Sequence, residues 1–483
     1  MSMSTGVEPT IDVKVFVDKE RGKVLFAESD KEFVDVLFGF LTLPLGTVVG
    51  LLGGQSQVGC LDELYRSVEG LSTDLFRTEA CKAMLLRPIN AAAKQCYHVT
   101  AFSSVPGVVC RCGKVMAKLA GERPPMNGRN AAVGGAPEDG VFVKGGLKFI
   151  VTDDLKVAPA STSLMLTLLD EFQVPDPSSL EQRILQFSSD KIIDLLRRSL
   201  TSQNPLTDHY LDVAIAPDDL VVDMLPEYLH PKEQDSEADH SLVNASLRVL
   251  QTKNNSKVLY AEVGGDFVDL LFGLLPIPLG SIVKRYGKSA SKGCFYNLYT
   301  SIDGSAQGFL RPECQNLLLS PMLAPFFGCG VSTMLQVQEL APDNQEINAC
   351  LKCIKDRGFA NLATCHEKFW YKKSYHQYCN VSVKTTTLRE LDAKSPKGGS
   401  DNGGAYVKHG PQKFIVTDDL HVLPLSLAST LQDLVEKEVA LTKPQVMELL
   451  KAALLTRRAL STVLLPPIPK INKKLHYHSF GLY

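Results

Sequence analysis

The sequence predicts an α+β chain built from two homologous modules, and three observations predict it. A stretch of 24 residues occurs twice: Lys23–Gly46 reads KVLFAESDKEFVDVLFGFLTLPLG and Lys257–Gly280 reads KVLYAEVGGDFVDLLFGLLPIPLG, with 15 identities at a constant spacing of 234. A second block, KFIVTDDL, stands unchanged at Lys148–Leu155 and Lys413–Leu420. Around both blocks the apolar pattern switches between the two-residue period of strands and the 3.6-residue period of helices.

Each module opens on a predicted β-hairpin. Val13 to Val17 alternates, Lys19-Glu20-Arg21-Gly22 supplies a turn, and Val24 to Ala27 returns. The second copy repeats this with Ser246 to Gln251, a turn over Asn254-Asn255, and Val258 to Ala261. Next comes the apolar segment. Phe33, Leu37, Phe40 and Leu41 share one helical face. Leu43 precedes a proline and is turned away from helix. Pro44 suits the first position of a new helix, so the spacing predicts two short helices with a kink, mirrored at Pro278.

Farther on, Gly59-Cys60 and Leu64-Tyr65 recur as Gly293-Cys294 and Leu298-Tyr299. Cys81, Leu85, Leu86 and Pro88 recur as Cys314, Leu318, Leu319 and Pro321. A variable interval follows, ending in loops rich in Gly, Pro and Ser at 121–140 and 393–404, expected to be mobile. The interval from Gly46 to Lys148 is 102 positions, and that from Gly280 to Lys413 is 133. In KFIVTDDL, Phe-Ile-Val-Thr is a strand and Asp-Asp a turn, with Val157 or Val422 starting the return strand. Ser161 and Ser426 are candidate N-caps, and amphipathic helices over 190–202 and 445–456 close the modules. The predicted domains are 12–225 and 243–465, joined by an acidic linker at 226–242 and followed by a basic tail at 466–483. Two such modules in one chain are expected to pack on each other as homodimers do.

Val36 to Gly54 is 19 residues without a charge, long enough to span a bilayer. Pro44 and the glycines at 39, 46, 50, 53 and 54 oppose that, and the second copy breaks at Lys284 and Arg285. A buried core segment is the reading adopted. With 51 basic and 53 acidic residues, the chain is not a general polyanion binder, and nucleic acid is disfavoured as a partner. The start, MSMSTGVEPTIDV, has neither a basic nor an apolar signal region, so an intracellular protein is expected. Its 12 cysteines then read as thiols or metal ligands rather than a disulfide frame.

The hairpin followed by FVDVLFGFLTLPLGTV, the TDDL block and the doubled layout resemble the plant family catalogued as domain of unknown function 674. The resemblance covers nearly the whole chain. It implies a plant origin, a tandem arrangement and no established activity. Cys110-Arg111-Cys112-Gly113 is similar to the Cys-x-Cys-Gly that ends the family's middle segment.

Cysteines form the candidate metal sites. Cys350 and Cys353, with Cys365 and Cys379, provide a knuckle and two later thiols that suit tetrahedral zinc. In the first copy Cys110 and Cys112, with Cys96, form a smaller set. Zinc held by thiolates alone is structural. Cys81 sits in the apolar repeat and reads as core. The pairs Asp153-Asp154 and Asp418-Asp419 suggest Mg²⁺ chemistry or a shared proton. Adjacent strand residues point to opposite faces, so turn capping is the stronger reading. Asp35 and Asp269 read as polar edges of the helix, and Glu28 and Glu262 as caps or surface groups. Trp370, among aromatic and lysine residues, reads as a half-buried strand rather than a base-stacking platform. No P-loop, GxGxxG, GxSxG, HExxH or kinase signature occurs. The expectation is a non-enzymatic intracellular binding or scaffold protein with an unidentified protein partner. The alternatives are a metal-dependent hydrolase or transferase using the Asp pairs, and a zinc-stabilised nucleic-acid binder.

Overall fold

The computed structural model describes residues 10–89, 96–98, 101–103, 140–174, 177–214, 242–252, 257–304, 308–342, 344–349, 384–395, 405–408, 410–425 and 434–465. The chain is α+β. The first half runs β1 (Ile11–Asp18), β2 (Lys23–Ser29), α1 (Lys31–Thr42), α2 (Leu45–Leu51), α3 (Leu61–Gly70) and α4 (Glu79–Leu86). It continues with β3 (Cys96–His98), β4 (Ala101–Ser103), β5 (Phe149–Thr152), β6 (Val157–Pro159), α5 (Thr162–Glu171), β7 (Leu180–Phe187), α6 (Ser189–Thr201) and α7 (Pro205–Tyr210). The second half runs β8 (Leu242–Thr252), β9 (Val258–Gly264), α8 (Gly265–Phe272), α9 (Leu279–Tyr286), α10 (Phe295–Gly304), α11 (Pro312–Leu319) and α12 (Gly330–Met334). After β10 (Asn344–Ala349) and β11 (Lys384–Glu390) it closes with β12 (Lys413–Thr417), β13 (Val422–Pro424), β14 (Leu434–Thr442), α13 (Lys443–Leu455) and α14 (Ala459–Leu464).

Each half builds a five-stranded sheet of the same order, β6-β5-β2-β1-β7 and β13-β12-β9-β8-β14, antiparallel throughout. The alternation of β1 explains its place. Val13, Val15 and Val17 enter the main core, while Phe16 turns to the other face and stacks on Phe26 at 4.7 Å beneath α5. Both hairpins carry a register shift at the equivalent point, Phe16/Val17 and Leu250/Gln251. The edge strands β7 and β14 were not legible in the sequence. LEQRILQF and LVEKEVALT interleave charges with apolar residues and run directly into a helix, without turn residues between. Charge is tolerated there because the outer edge of a sheet faces water.

The kink between the apolar helices is as expected, one residue displaced. Leu43 is extended, and Pro44 is the N-cap of α2 rather than its first helical residue. The kink has a partner. Pro44 and Pro278 form an antiparallel bridge, where Leu45 N–H donates to Ile277 O at 2.9 Å, Gly46 N–H to Leu275 O at 2.7 Å and Leu279 N–H to Leu43 O at 2.9 Å. Leu43–Gly46 and Ile277–Gly280 therefore cross, and each chain segment passes to the other half. Helix α3 packs on α8 and β13 of the second half, and α10 packs on α1 and β6 of the first. Each sheet is covered in part by helices from the opposite copy, and one continuous core takes residues from both.

Reciprocal contacts lock this exchange. Cys60 N–H donates to Ala453 O at 2.7 Å, and Cys294 N–H to Ser199 O at 3.1 Å. The glycine before each cysteine is required by the close approach: a methyl at Gly59 or Gly293 would run into Ala453 O or Ser199 O, and Gly59 also has φ +49°. Ser67 Oγ accepts Val422 N–H at 2.8 Å, and Ser301 Oγ accepts Val157 N–H at 2.9 Å. Phe76 bridges Val407 and Leu310 bridges Val143 in the same manner. A separate four-stranded sheet, β10-β11-β4-β3, joins strands from the variable intervals of both halves, with Arg389 opposite Ala101 across a parallel pair.

Two outcomes follow for the isolated halves and the clasp. Fragments 1–230 and 240–483, made separately, are each expected to lose the cooperative urea transition of the whole chain, and mixing them is expected to restore it. Independent transitions at the midpoint of the whole chain would show that the exchange is dispensable. Gly293→Ala is expected to cost about 2 kcal/mol or more by overpacking the clasp, read as a lowered urea midpoint.

Candidate functional site

The TDDL turns are the first place to look for chemistry, since they carry paired carboxylates in both halves. Asp153 is 4% exposed and Asp418 is 5% exposed. Asp153 accepts the N–H and the hydroxyl of Thr207, each at 2.8 Å, and Asp418 accepts the N–H and hydroxyl of Ser461, each at 2.7 Å. Those hydroxyls in turn accept the N–H of Val24 and Val258, each at 2.9 Å. Each first aspartate thus holds the first turn of a closing helix, α7 or α14, against the second strand of its hairpin. Lys23 lies 3.8 Å from Asp153, and Arg458 lies 3.6 Å from Asp418.

The second aspartates close their own turns. Asp154 accepts Thr152 Oγ1 at 2.5 Å and Asn297 Nδ2 at 3.1 Å, and pairs with Lys156 at 3.1 Å. Asp419 accepts Thr417 Oγ1. The residue after each pair, Leu155 and Leu420, has φ +62° and a fully buried side chain. A left-handed leucine is costly, on the order of 1–2 kcal/mol, and its burial in the core offsets that cost. The carboxylates accept from backbone, hydroxyl and amide donors, with Lys23, Lys156 and Arg458 beside them.

Burial dominates the electrostatics of this pair. It pushes Asp153 up to about 6, against the opposing hydrogen bonds from Thr207 and the charge of Lys23. It raises Asp418 as well, against Ser461 and Arg458.

The FVD aspartates are more than helix edges. Asp35 accepts the N–H groups of Val141, Phe142 and Val143 at 2.6, 2.8 and 3.2 Å, and Asp269 accepts those of Tyr406 and Val407 at 2.5 and 3.1 Å. Each helix grips the chain entering its KFIVTDDL block. Glu28 and Glu262 are surface groups, pairing with Lys14 at 3.6 Å and Arg248 at 3.4 Å across the hairpins. Ser161 caps α5 as expected, accepting Leu164 N–H at 3.1 Å, while Ser426 lies outside the described residues.

Sequence reasoning missed one constellation, because its members are 354 residues apart. Ser67 Oγ lies 3.3 Å and Glu63 Oε2 3.4 Å from His421. Both approach the same nitrogen, Nδ1, whereas a nucleophilic triad needs serine and carboxylate on opposite nitrogens. The Ser67 hydroxyl is also committed, donating to Glu63 O at 2.7 Å and accepting Val422 N–H. The set is a clasp between the halves. A second missed group surrounds Lys394, within a segment expected to be a mobile loop. Ala393 and Lys394 are buried: Thr78 Oγ1 donates to Ala393 O at 2.9 Å, and Lys394 Nζ donates to Gly328 O at 2.6 Å and lies 4.5 Å from the Tyr406 ring centre. Burial lowers the Lys394 ammonium below its ordinary range.

Of the candidate metal ligands, Cys96 lies on β3 opposite Ser103. Cys110, Cys112, Cys350, Cys353, Cys365 and Cys379 lie outside the described residues, as does Trp370. Among the described residues no group of His, Cys, Asp and Glu is placed to hold a metal ion. Cys81 is core, as expected, and burial raises its thiol.

Compared with known families, the chain matches the model described as Protein of unknown function (DUF674) over residues 7–101 and 94–443. The chain belongs to the DUF674 family. No curated protein and no solved structure matches it. In this DUF674 chain the conspicuous repeated motifs therefore have structural assignments. FVD grips a loop, PLG forms the crossing, Gly-Cys forms the clasp, and TDDL pins a helix. No helix among the described residues is long and apolar enough to cross a membrane.

The shift at Asp153 gives a signed pH test. Its folded value is raised from 3.8 to about 6, so the protonated form is favoured by folding. That contribution is fully present below about pH 4 and is lost as pH rises through about 6. Asp153→Asn stays neutral, so its urea stability relative to the wild type is expected to rise between pH 4 and 6 and level off above. The rise is at most about 3 kcal/mol. A pH-independent difference would show that Asp153 is already ionised in the folded chain throughout that range.

Proposed function

We propose that this DUF674 protein is a non-enzymatic intracellular binding or scaffold protein whose partner is recognised by the variable intervals. One observation carries the reading: the paired aspartates, on which the enzymatic alternative rests, are occupied in both halves as helix anchors and turn closures. Duplicated motifs that serve packing leave the unequal intervals as the part that distinguishes one half from the other. The sheet that joins β3 and β4 to β10 and β11 supports the same reading, because it gathers both intervals into one structure. Structural zinc at Cys350, Cys353, Cys365 and Cys379, with Cys96, Cys110 and Cys112 as the smaller set, belongs to this proposal as a staple for the intervals.

The test replaces residues 351–383 with a short Gly/Ser linker. The variant is expected to keep the urea midpoint of the wild type and to lose the partners that the wild type captures from cell extract. Metal analysis of the wild type and of Cys350→Ser/Cys353→Ser is expected to show zinc that the variant lacks. Metal-dependent hydrolysis of a phosphoester by the wild type, absent from a folded Asp154→Asn variant, would replace the binding reading with the enzymatic one.

A further inference from the structure

Helix α9 and the turn after it carry a charge that their counterpart lacks. Residues 281–292 read SIVKRYGKSASK and the equivalent 47–58 read TVVGLLGGQSQV. Lys284, Arg285, Lys288 and Lys292 are all exposed, with no acid in the segment. The first copy places Gly50, Leu51, Gly54 and Val58 there. Both segments nevertheless do the same structural work. Each begins as a helix straight after the crossing proline, and each delivers its Gly-Cys to the clasp. The fold therefore does not need the four cations. A helix C-terminus favours cations in its last turn, which accounts for Lys284 and Arg285 but not for Lys288 or Lys292.

Among the described residues the cations are not consumed by ion pairs. Lys284 Nζ donates to Ser320 Oγ at 2.6 Å, and among the described residues no carboxylate pairs with Arg285, Lys288 or Lys292. Glu448, the acid that acts on neighbouring Tyr286, is itself opposed by Lys451.

We infer that the surface formed by Lys284, Arg285, Lys288 and Lys292 docks an acidic polypeptide segment of a partner protein. The alternatives fit less well. Single-stranded nucleic acid calls for stacking faces beside the cations, but Tyr286 is half-buried with its hydroxyl donating to Met447 O at 3.0 Å. A membrane surface calls for apolar side chains that insert beside the charge, but Ile282 and Val283 are buried. A short run of carboxylates needs neither stacking nor insertion, only a local cluster of unpaired cations.

The inference rests on the binding reading but uses a surface outside the variable intervals, so the two can fail separately. The test titrates the full-length chain against a fluorescein-labelled deca-glutamate peptide at low salt. Saturable binding is expected, weakening by about tenfold between 50 and 200 mM salt as ionic screening requires. Lys284→Gln/Arg285→Gln/Lys288→Gln/Lys292→Gln is expected to lose at least about tenfold in affinity with its urea midpoint kept, since the first copy folds without charge there. Parallel arms use a single-stranded oligonucleotide and phosphatidylserine vesicles. Absent peptide binding, equal binding by the variant, or tighter binding of either other probe overturns the proposal. None of these outcomes bears on partners lost when 351–383 is replaced.

Discussion

The crossing at Pro44 and Pro278 is the constraint on which the rest of the structure depends. A proline cannot continue the hydrogen bonding of α1, and the residue before it, Leu43, is extended. Extended backbone leaves N–H and C=O groups without helical partners, and burying them unpaired would be costly. The other copy's segment satisfies them, since Leu45 donates to Ile277 O, Gly46 to Leu275 O and Leu279 to Leu43 O. Once the two segments have crossed, α2 to α4 and α9 to α11 can only settle on the opposite half. The Gly-Cys clasps and the serine contacts with the TDDL return strands follow from that placement.

The fold class, both hairpins, the kinked apolar helices, the TDDL turns and the closing helices were legible because each is written in local pattern. Val13, Val15 and Val17 announce a strand, and Phe33, Leu37 and Leu41 a helix, whatever lies around them. The charge-free stretch from Val36 to Gly54 was legible as core from its own proline and glycines together with its charged second copy. What local pattern could not supply was partnership. Nothing near Ser67 indicates that its hydroxyl will receive Val422, and nothing near Asp35 points to the N–H groups of residues 141–143. Lys394 misled for the same reason. Its neighbours in sequence are loop formers, yet its ammonium is held by Gly328 O and the face of Tyr406, both supplied from elsewhere in the chain.

The Asp pairs illustrate how a catalytic appearance dissolves into structure. Two adjacent carboxylates in a β-turn resemble a metal or proton site until the donors they accept from are assigned. Asp153 and Asp418 each take two hydrogen bonds from one residue at the start of a helix, and that residue's hydroxyl takes a third from the hairpin. The arrangement fixes helix, turn and sheet edge to one another through a single carboxylate. Burial raises the cost of its charge, and the hydrogen bonds only partly recover that cost. The geometry is the same in both halves although threonine serves in one and serine in the other. A hydroxyl that both donates and accepts is therefore the requirement, and the identity of the residue is secondary.

Duplication within one chain provides a control that a single domain lacks. Where the two copies keep the same residues, as at FVD, PLG, Gly-Cys and the first aspartate of TDDL, the principal contacts correspond, and the fold accounts for them. Where they differ while the backbone does not, the fold offers no account. The interval before KFIVTDDL differs in length, and the segment after the crossing differs in charge. Two copies descending from one ancestor meet the same packing demands. A difference that packing does not require therefore marks surface on which the halves have diverged in what they contact. By that reasoning the symmetric interior carries the fold, and the proposed partner contacts fall to the asymmetric surfaces.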